Sequence, residues 1–208
     1  MRLKARPVVA LDRTMKARMI DALVADATGA PVEARRVLDI GCGNGDIAAH
    51  FAERNTVCTL DIVDQRRNQH RTLAHCIGAS EQLPYADQCF DLALSNHVIE
   101  HVQSHEAHLQ EIFRVLKPEG VCFLATPNGT SPFMRGHIGN PMVLKHAQMK
   151  PLFESCGFHV EECYTRWLHQ PIKFHCPTRI GALFPTFVLQ LMSPWYPSQN
   201  FLLTRPSL

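Results

Sequence analysis

The fold of this chain is decided by Val37-Leu38-Asp39-Ile40-Gly41-Cys42-Gly43-Asn44-Gly45-Asp46. A short apolar run with one acid leads into three glycines at every second position, and a helical pattern follows. Glycine adopts positive φ without strain and lets a ligand approach the backbone closely. A strand, a glycine loop and a helix in this order predict a nucleotide-like ligand at the carboxyl edge of a sheet.

The spacing of the glycines separates two kinds of nucleotide site. The dinucleotide fingerprint G-x-G-x-x-G would require glycine at position 46, where this chain has Asp46. The spacing therefore counts against an NAD-dependent oxidoreductase, which stays open as the less favoured enzyme class.

Composition narrows the class of protein further. With 208 residues, the chain is long enough for one α/β domain with a substantial core. The formal net charge of +2 gives no support for nucleic-acid binding, although Arg66, Arg67 and Arg71 form a local basic cluster. The eight cysteines include no C-x-x-C pair, so we expect reduced thiols in a cytoplasmic protein. We expect neither a secretory signal nor a membrane-spanning helix, because no apolar run approaches ~18 residues.

Alternating apolar runs and helical patterns predict the order of the elements. Helices are predicted at 14–27, 46–54, 104–116 and 144–156, and strands at 36–40, 56–60, 73–77, 90–95, 121–126, 158–167 and 200–204. The polar segment 64–71 has no apolar stripe, so we expect a short or irregular crossover there. The alternation predicts a Rossmann-like, doubly wound α/β fold with a mostly parallel sheet and an antiparallel edge strand at 200–204.

Five ordered motifs carry a resemblance to a known family. They are VLDIGCGNG at 37–45, TVCTLD at 56–61, SEQLPYADQCFDLALS at 80–95, NHVIEHV at 96–102, and RVLKPEG at 114–120 followed by ATPN at 125–128. In this order and spacing, the chain resembles a class I S-adenosylmethionine-dependent methyltransferase of the small-molecule type 11 group. The resemblance implies S-adenosylmethionine as the cofactor and a small-molecule or lipid-linked acceptor, methylated on oxygen before carbon or nitrogen.

The resemblance also implies which residues bind the cofactor. Gly41, Cys42 and Gly43 would border its methionine part, and Asp39 would reach the ammonium group, unless that acid instead caps the following helix. Asp61 would accept both ribose hydroxyls, with an Asx turn as the alternative. Next to it, Ile62 would offer the adenine an apolar face.

The segment Gly78-Ala79-Ser80-Glu81 departs from the family pattern. Many relatives carry an aspartate where this chain has Ala79, and that carboxylate receives the adenine amino group. Ser80 and Glu81 stay in the predicted cofactor set, with Ser80 or a backbone carbonyl taking this role. The loss of such a carboxylate costs on the order of 1–3 kcal/mol, so we expect weaker cofactor binding.

The segment Ser95-Asn96-His97 follows the fourth predicted strand and, by the resemblance, lines the methyl end of the cofactor. The leaving group in methyl transfer is already activated, so the enzyme mainly positions the acceptor. A base is needed only where the acceptor must lose a proton, and His97 is the candidate for that catalytic role.

Four histidines at near-helical spacing leave other interpretations open; they are His97, His101, His105 and His108. His97 and His101 are placed as two metal ligands would be on a helix, and the alternative is a solvated or capping face. We expect no metal, because two ligands do not close a site. Glu100 and His101 are expected to be structural, and His137 and His146 are weaker acid–base candidates.

We expect a single domain over residues 1–208, with 1–35 as an N-terminal helical extension. Residues 127–208 would supply the acceptor-side loops, helices and last strands. Within them, 180–196 is either a helix packed on the sheet or an apolar acceptor wall with peripheral membrane contact. A non-catalytic scaffold or partner subunit is the alternative function, favoured by Ala79 and the short crossover. The sequence predicts no oligomeric state.

Overall fold

A seven-stranded sheet organises the chain in a computed structural model that describes residues 6–131, 142–163 and 198–207. The helices are α1 (Arg6–Thr28), α2 (Asp46–Ala52), α3 (His105–Val115) and α4 (His146–Ser155). The strands are β1 (Arg36–Ile40), β2 (Thr56–Asp61), β3 (Ala74–Ile77), β4 (Phe90–Asn96), β5 (Leu116–Pro127), β6 (His159–Cys163) and β7 (Ser198–Thr204).

The strand order is β3-β2-β1-β4-β5-β7-β6, and the strands from β3 to β5 are all parallel. This confirms the predicted Rossmann-like α/β fold. β7 is antiparallel, as predicted, and lies between β5 and β6, so that β6 forms the outer edge. The order reverses between β1 and β4, and such a switch point opens a crevice at the carboxyl ends of the two strands.

The residues of β1 alternate between two hydrophobic cores. Val37 packs on the side of α1 and α2, whereas Leu38 and Ile40 pack on the side of α3 and α4. Full burial of such aliphatic side chains stabilises the fold by about 1.5–3 kcal/mol each. The same alternation turns Asp39 toward α2, where it is 2% exposed.

Two elements begin well before their predicted first residue. α1 begins at Arg6, because a proline in the first turn is tolerated and Pro7 does not delay the helix. β5 begins at Leu116, whereas its strand was predicted to begin at residue 121. Residues 117–120 form an irregularity in the strand, with Glu119 at a φ of 63°, and they are held by backbone hydrogen bonds with Arg205.

Among the described residues, no helix is both long and apolar enough to cross a membrane. The segment 180–196, with its membrane alternative, lies outside the described residues, as do His137 and the end of the strand predicted to reach residue 167.

Candidate active site

Glycines with positive φ shape the loop that follows β1. The φ angles of Gly41, Gly43 and Gly45 are 65°, 53° and 81°. A Cβ on Gly41 would lie 2.5 Å from Cγ2 of Val98, closer than two carbon atoms can approach. The loop after β1 therefore touches the segment after β4, and only glycine permits this contact.

Asp39 lies beneath this loop, and only one of its two carboxylate oxygens has a hydrogen-bond partner. It accepts a hydrogen bond from the backbone N–H of Ala48, the third residue of α2. Its Oδ2 is buried without a hydrogen-bond partner. Burial, with a contribution from Asp61, raises the pKa of Asp39 to about 7, although the Ala48 N–H and Arg13 act in the opposite direction. The capping alternative and a ligand role are therefore compatible, because they use different oxygens.

Asp61 ends β2 on the other side of the glycine loop. Its Oδ2 accepts the backbone N–H of Gly43 at 2.8 Å, and its Oδ1 lies 3.5 Å from the N–H of Val63. An ionised carboxylate has about four acceptor positions, so the side chain keeps capacity for ligand hydroxyls. Ile62, 71% exposed, and Ile77, 67% exposed, form an apolar surface beside it.

The crossover from β2 to β3 contains a 3₁₀ turn over Asn68–His70, which agrees with the predicted short crossover. Asp46, at the start of α2, ties it to the glycine loop. The carboxylate of Asp46 contacts Nε2 of His70 at 3.0 Å and Nη2 of Arg67 at 3.2 Å. The N–H of Arg67 also donates to the carbonyl of Asn44. The loop and the crossover therefore form one hydrogen-bonded unit.

Ser80 and Glu81 lie after β3 and are bonded to each other. The hydroxyl of Ser80 donates to Oε2 of Glu81 at 3.3 Å, and Oε1 of Glu81 accepts the N–H of Gln103 at 2.8 Å. The Glu81 side chain thus joins the loop after β3 to the start of α3. A role of these two residues at the adenine stays a prediction.

The end of β4 places its side chains in alternating directions. Ser95 is fully buried and its Oγ lies 3.1 Å from Nε2 of His108, on the α3 side. Burial lowers the pKa of His108 to about 4, so its ring is neutral. Asn96 has a buried Oδ1 without a hydrogen-bond partner. Within the predicted set, Ser95 can therefore contribute its backbone, while Asn96 keeps a free acceptor.

His97 follows in a strained conformation and is held by a buried acid. Its φ is 59°, which is uncommon for a residue with a Cβ. Its N–H donates to the carbonyl of Ala125, and its Nδ1 lies 3.0 Å from Oε1 of Glu100. The side chain of Glu100 is 2% exposed and that of His97 is 34% exposed. Non-glycine residues at such φ values cluster at functional sites, so this geometry supports a functional role for His97.

The four histidines of the series diverge. His101 is exposed, His105 contacts the carbonyl of Met142 through Nε2, and His108 turns to Ser95. In the described part of the chain, no group of three or more His, Cys, Asp or Glu side chains could hold a metal ion. His146, at the start of α4, lies with its Nδ1 2.6 Å from Nε2 of Gln199 at the same carboxyl edge as β5.

Cys42 contributes backbone rather than a reactive thiol. Its N–H donates to the carbonyl of Leu60 together with that of Gly41. Burial, aided by Asp39 and Asp61, raises the pKa of the Cys42 thiol to about 12, so the thiol stays protonated. The six cysteines whose side chains are described carry free thiols.

The predicted cofactor fits this donor set. A loop that tolerates close backbone approach lies between two acids, and the unpartnered oxygens of Asp39 and Asn96 are acceptors for a cationic ligand. Sequence reasoning missed Glu100 as the partner of His97. The signal was the three-residue spacing, which makes two residues neighbours on a helical turn.

Comparison with known proteins agrees with this geometry. A family model described as "Methyltransferase domain" matches residues 38–124. The chain is 34% identical over 140 residues to a probable S-adenosylmethionine-dependent methyltransferase from Mycolicibacterium smegmatis, covering 62% of this chain and 53% of that protein. It is 33% identical over 96 residues to a malonyl-[acyl-carrier protein] O-methyltransferase from Pectobacterium atrosepticum, covering 44% and 38%. The chain spans about half or less of the length of the curated relatives it matches.

Among solved structures, the YcgJ protein from Bacillus subtilis is similar with a TM-score of 0.64 and 16% sequence identity. The match covers 90% of this chain and 98% of that chain. At this identity the likeness shows the fold alone.

Proposed function

We propose that this chain, which belongs to the class I S-adenosylmethionine-dependent methyltransferases of the type 11 group, methylates a hydroxyl oxygen of a small-molecule or lipid-linked acceptor. The observation that carries the choice of a hydroxyl is the pair of His97 and Glu100, because only an acceptor that loses a proton requires a base. The relative from Pectobacterium is named as an O-methyltransferase, which supports methylation on oxygen.

The residues around the glycine loop would hold the cofactor. S-adenosylmethionine, when bound, supplies a methyl group on a positively charged sulfur. Asp39 would face its ammonium group with the unpartnered Oδ2, and Asp61 would accept ribose hydroxyls with the positions that Gly43 leaves free. The exposed side chain of Ile62 would meet the adenine. These assignments are proposals for this chain.

His97 would take the proton of the acceptor hydroxyl. With Nδ1–H donating to Glu100, the neutral ring presents Nε2 as the acceptor. The negative charge of Glu100 then stabilises the imidazolium that forms, as buried acids do behind catalytic histidines. Such base catalysis contributes typically ~10²–10⁴-fold to the rate.

Acceptor recognition is assigned to residues 127–208, together with α1. His146 and Gln199 are two of the described polar side chains of that region at the carboxyl edge. This assignment stays a prediction, as does the single-domain organisation.

Isothermal titration with S-adenosylmethionine and with NAD tests the cofactor. Saturable binding of S-adenosylmethionine alone is the expected result. Binding of neither compound would favour the scaffold alternative, and binding of NAD alone would favour an oxidoreductase. A cell extract supplied with the protein and methyl-labelled cofactor then identifies the acceptor as the metabolite that gains the label.

The base is tested with His97→Gln and Glu100→Gln on the acceptor so identified. Both variants should bind the cofactor normally and turn over at least about tenfold more slowly at neutral pH. For a phenolic acceptor the rate of His97→Gln should recover above about pH 10, because a phenol ionises there without a base. A full rate at every pH would show that the acceptor loses no proton, as for a carboxylate, and would reject the hydroxyl proposal.

A further inference from the structure

The carboxyl edge of the sheet carries a row of three residues in register across β4, β5 and β7. Asn96 of β4 is paired with Ala125 of β5, and Ala125 is paired with Asn200 of β7. Residues paired across neighbouring strands have their side chains on the same face of the sheet. Asn96 and Asn200 therefore flank the small side chain of Ala125, with their Cα atoms about 10 Å apart, which is two strand spacings.

The face that carries this row is the one on which α1 is docked. Ala125 and Leu202 belong to the core that packs against α1 and α2, and α1 contacts β5 directly. Ser95 and Gln199, which precede the two asparagines, face α3 and α4 instead. Because side chains alternate along a strand, both asparagines lie on the α1 side of the sheet, at the edge where the strands end.

The side-chain amides of this pair keep their hydrogen-bonding capacity. Oδ1 of Asn96 is buried without a hydrogen-bond partner, and within the described residues the side chain of Asn200 forms no hydrogen bond. Both residues are half-buried, so each is accessible in part from outside. An unpartnered polar oxygen in a buried position is unfavourable for the free protein, so its presence at a strand end points to a group that bonds to it.

The position of the pair in the sheet separates it from the residues proposed for the cofactor. Those residues extend from β1 toward β2 and β3, whereas Asn200 lies three strands from β1 in the opposite direction, about 14 Å away. The pair is adjacent to the proposed base, because Asn96 precedes His97 and the N–H of His97 donates to the carbonyl of Ala125. It therefore lies on the side of the base that the cofactor leaves to the acceptor.

The chemistry of two amides selects the kind of group that they bind. Together they offer N–H donors and carbonyl acceptors but no charge. A carboxylate or phosphate placed between them would lose hydration without gaining a compensating cation from either side chain. A group that only accepts hydrogen bonds would leave Oδ1 of Asn96 without a partner. The suitable group is uncharged and carries at least one O–H or N–H.

We propose that Asn96 and Asn200 bind an uncharged hydroxyl or carboxamide of the acceptor, distinct from the oxygen that is methylated. This inference rests on the proposed function and names the part of the acceptor that the protein recognises. It assigns Asn96 two parts of the same site: its backbone belongs to the predicted cofactor set, and its side chain faces the acceptor.

The test measures the transfer of a labelled methyl group from S-adenosylmethionine to the metabolites of a cell extract at limiting acceptor concentration. Asn96→Leu and Asn200→Leu keep the approximate size of the side chain and remove its hydrogen bonds. Each should lower the initial rate at least about tenfold, while the dissociation constant for S-adenosylmethionine changes less than about twofold. Asn96→Leu should melt at the same temperature as the wild type or higher, because the free protein loses an unpartnered buried oxygen.

Thr204→Val is the matched control. Thr204 lies four residues after Asn200 on the same face of β7, paired with Val121, and is thus about 13 Å farther from the carboxyl edge. Its replacement should leave the rate unchanged. Asn200→Ala, which adds no bulk to the strand, is measured beside Asn200→Leu and should lose as much of the rate.

The outcomes separate this inference from its premise. Full rates in the asparagine variants would overturn the role of the pair and leave the methyltransferase assignment intact. A parallel loss of affinity for S-adenosylmethionine would assign the amides to the cofactor, and a lowered melting temperature of Asn96→Leu would assign Asn96 to the fold; either result would overturn the inference. So would a labelled product without an uncharged O–H or N–H group. No labelled product with the wild-type protein would overturn the premise and this inference together.

Discussion

Asp39→Asn should make the ligand-free protein more stable at neutral and alkaline pH and less able to bind its cofactor. The wild-type side chain is 2% exposed, and burial raises its pKa from 3.8 to about 7. Asparagine keeps the shape and an oxygen for the N–H of Ala48, but it cannot ionise. The substitution therefore removes the cost of a buried charge and leaves the cap of α2 in place.

The size of the effect follows from the pKa difference. The folded state holds a proton that the unfolded state has released between about pH 4 and pH 7, so the free energy of unfolding of the wild type falls as the pH rises through this window. The full difference of about three pKa units corresponds to about 4 kcal/mol. Between about pH 5 and pH 8, the advantage of Asp39→Asn should grow by about 2.5 kcal/mol.

Urea unfolding of both proteins at about pH 5, 6, 7 and 8 measures this advantage. In melting temperature it corresponds to about 5–10 °C for a chain of this length. Titration with S-adenosylmethionine should show the opposite effect. The affinity of the wild type should rise about tenfold from pH 6 to pH 8 as Asp39 ionises, and that of Asp39→Asn should stay low and constant.

Asp91→Asn provides the control. Although burial alone would raise it, Lys117 and the N–H of Arg36 hold the pKa of Asp91 below its ordinary value. A carboxylate with a lowered pKa stabilises the folded state at pH values above that pKa. From pH 5 to pH 8, Asp91 is ionised in both the folded and the unfolded state, so its replacement should shift the stability curve nearly in parallel. Parallel curves for the wild type and Asp39→Asn over the same range would refute the buried, protonated carboxyl at position 39.

Three further substitutions test the site and its support. Asp61→Ala should weaken cofactor binding at least about tenfold in calorimetric titrations, because two charge-assisted hydrogen bonds of ~1.5 kcal/mol or more each are lost; an unchanged dissociation constant would remove Asp61 from the site. Gly41→Ala should destabilise the protein in urea more than Gly29→Ala, because both glycines have positive φ but a Cβ meets Val98 at 2.5 Å only at position 41; equal losses would contradict the close contact. Arg205→Met should lower the free energy of unfolding by about 2–3 kcal/mol, because its Nη1 donates to the carbonyls of Phe113 in the last turn of α3 and of Leu116 at the start of β5, and its side chain stacks on the ring of Phe113 4.6 Å away; a loss below about 0.5 kcal/mol would show that these bonds add nothing to stability.

The features that the sequence predicted well are those encoded locally. β1 has the predicted bounds, 36–40, because five consecutive residues suit a buried parallel strand. The irregular crossover was visible as a polar stretch without an apolar stripe. Its attachment to Asp46 was not, because His70 and Arg67 reach back over more than twenty residues to make it.

The candidate site also combines residues that a sequence pattern locates with contacts that depend on tertiary packing. Asp39, the glycines and Asp61 stand at positions where a strand ends, which a pattern can locate. The approach of Arg13 to Asn44 depends on how α1 docks on α2, and a sequence gives no direct signal for that packing. The three-residue spacing of His97 and Glu100 is visible in the sequence. Their pairing, however, depends on the left-handed backbone at His97, a conformation that glycine or asparagine adopts more often than histidine.

The start of α2 also explains which ligand the glycine loop can take. In a dinucleotide site, a pyrophosphate binds the free N–H groups at the beginning of this helix. Here the N–H of Asp46 donates to the side chain of Asn44, and that of Ala48 donates to Asp39. With two of the first three N–H groups already bonded, and with Asp39 and Asp61 on either side, an anion would find few donors and two opposing charges. A ligand with a cationic group beside the loop would be attracted by the same two acids, and the unpartnered Oδ2 of Asp39 would accept a hydrogen bond from it. Asp46, which stands where the dinucleotide fingerprint has its third glycine, thus accompanies a change in the charge that the whole loop accommodates.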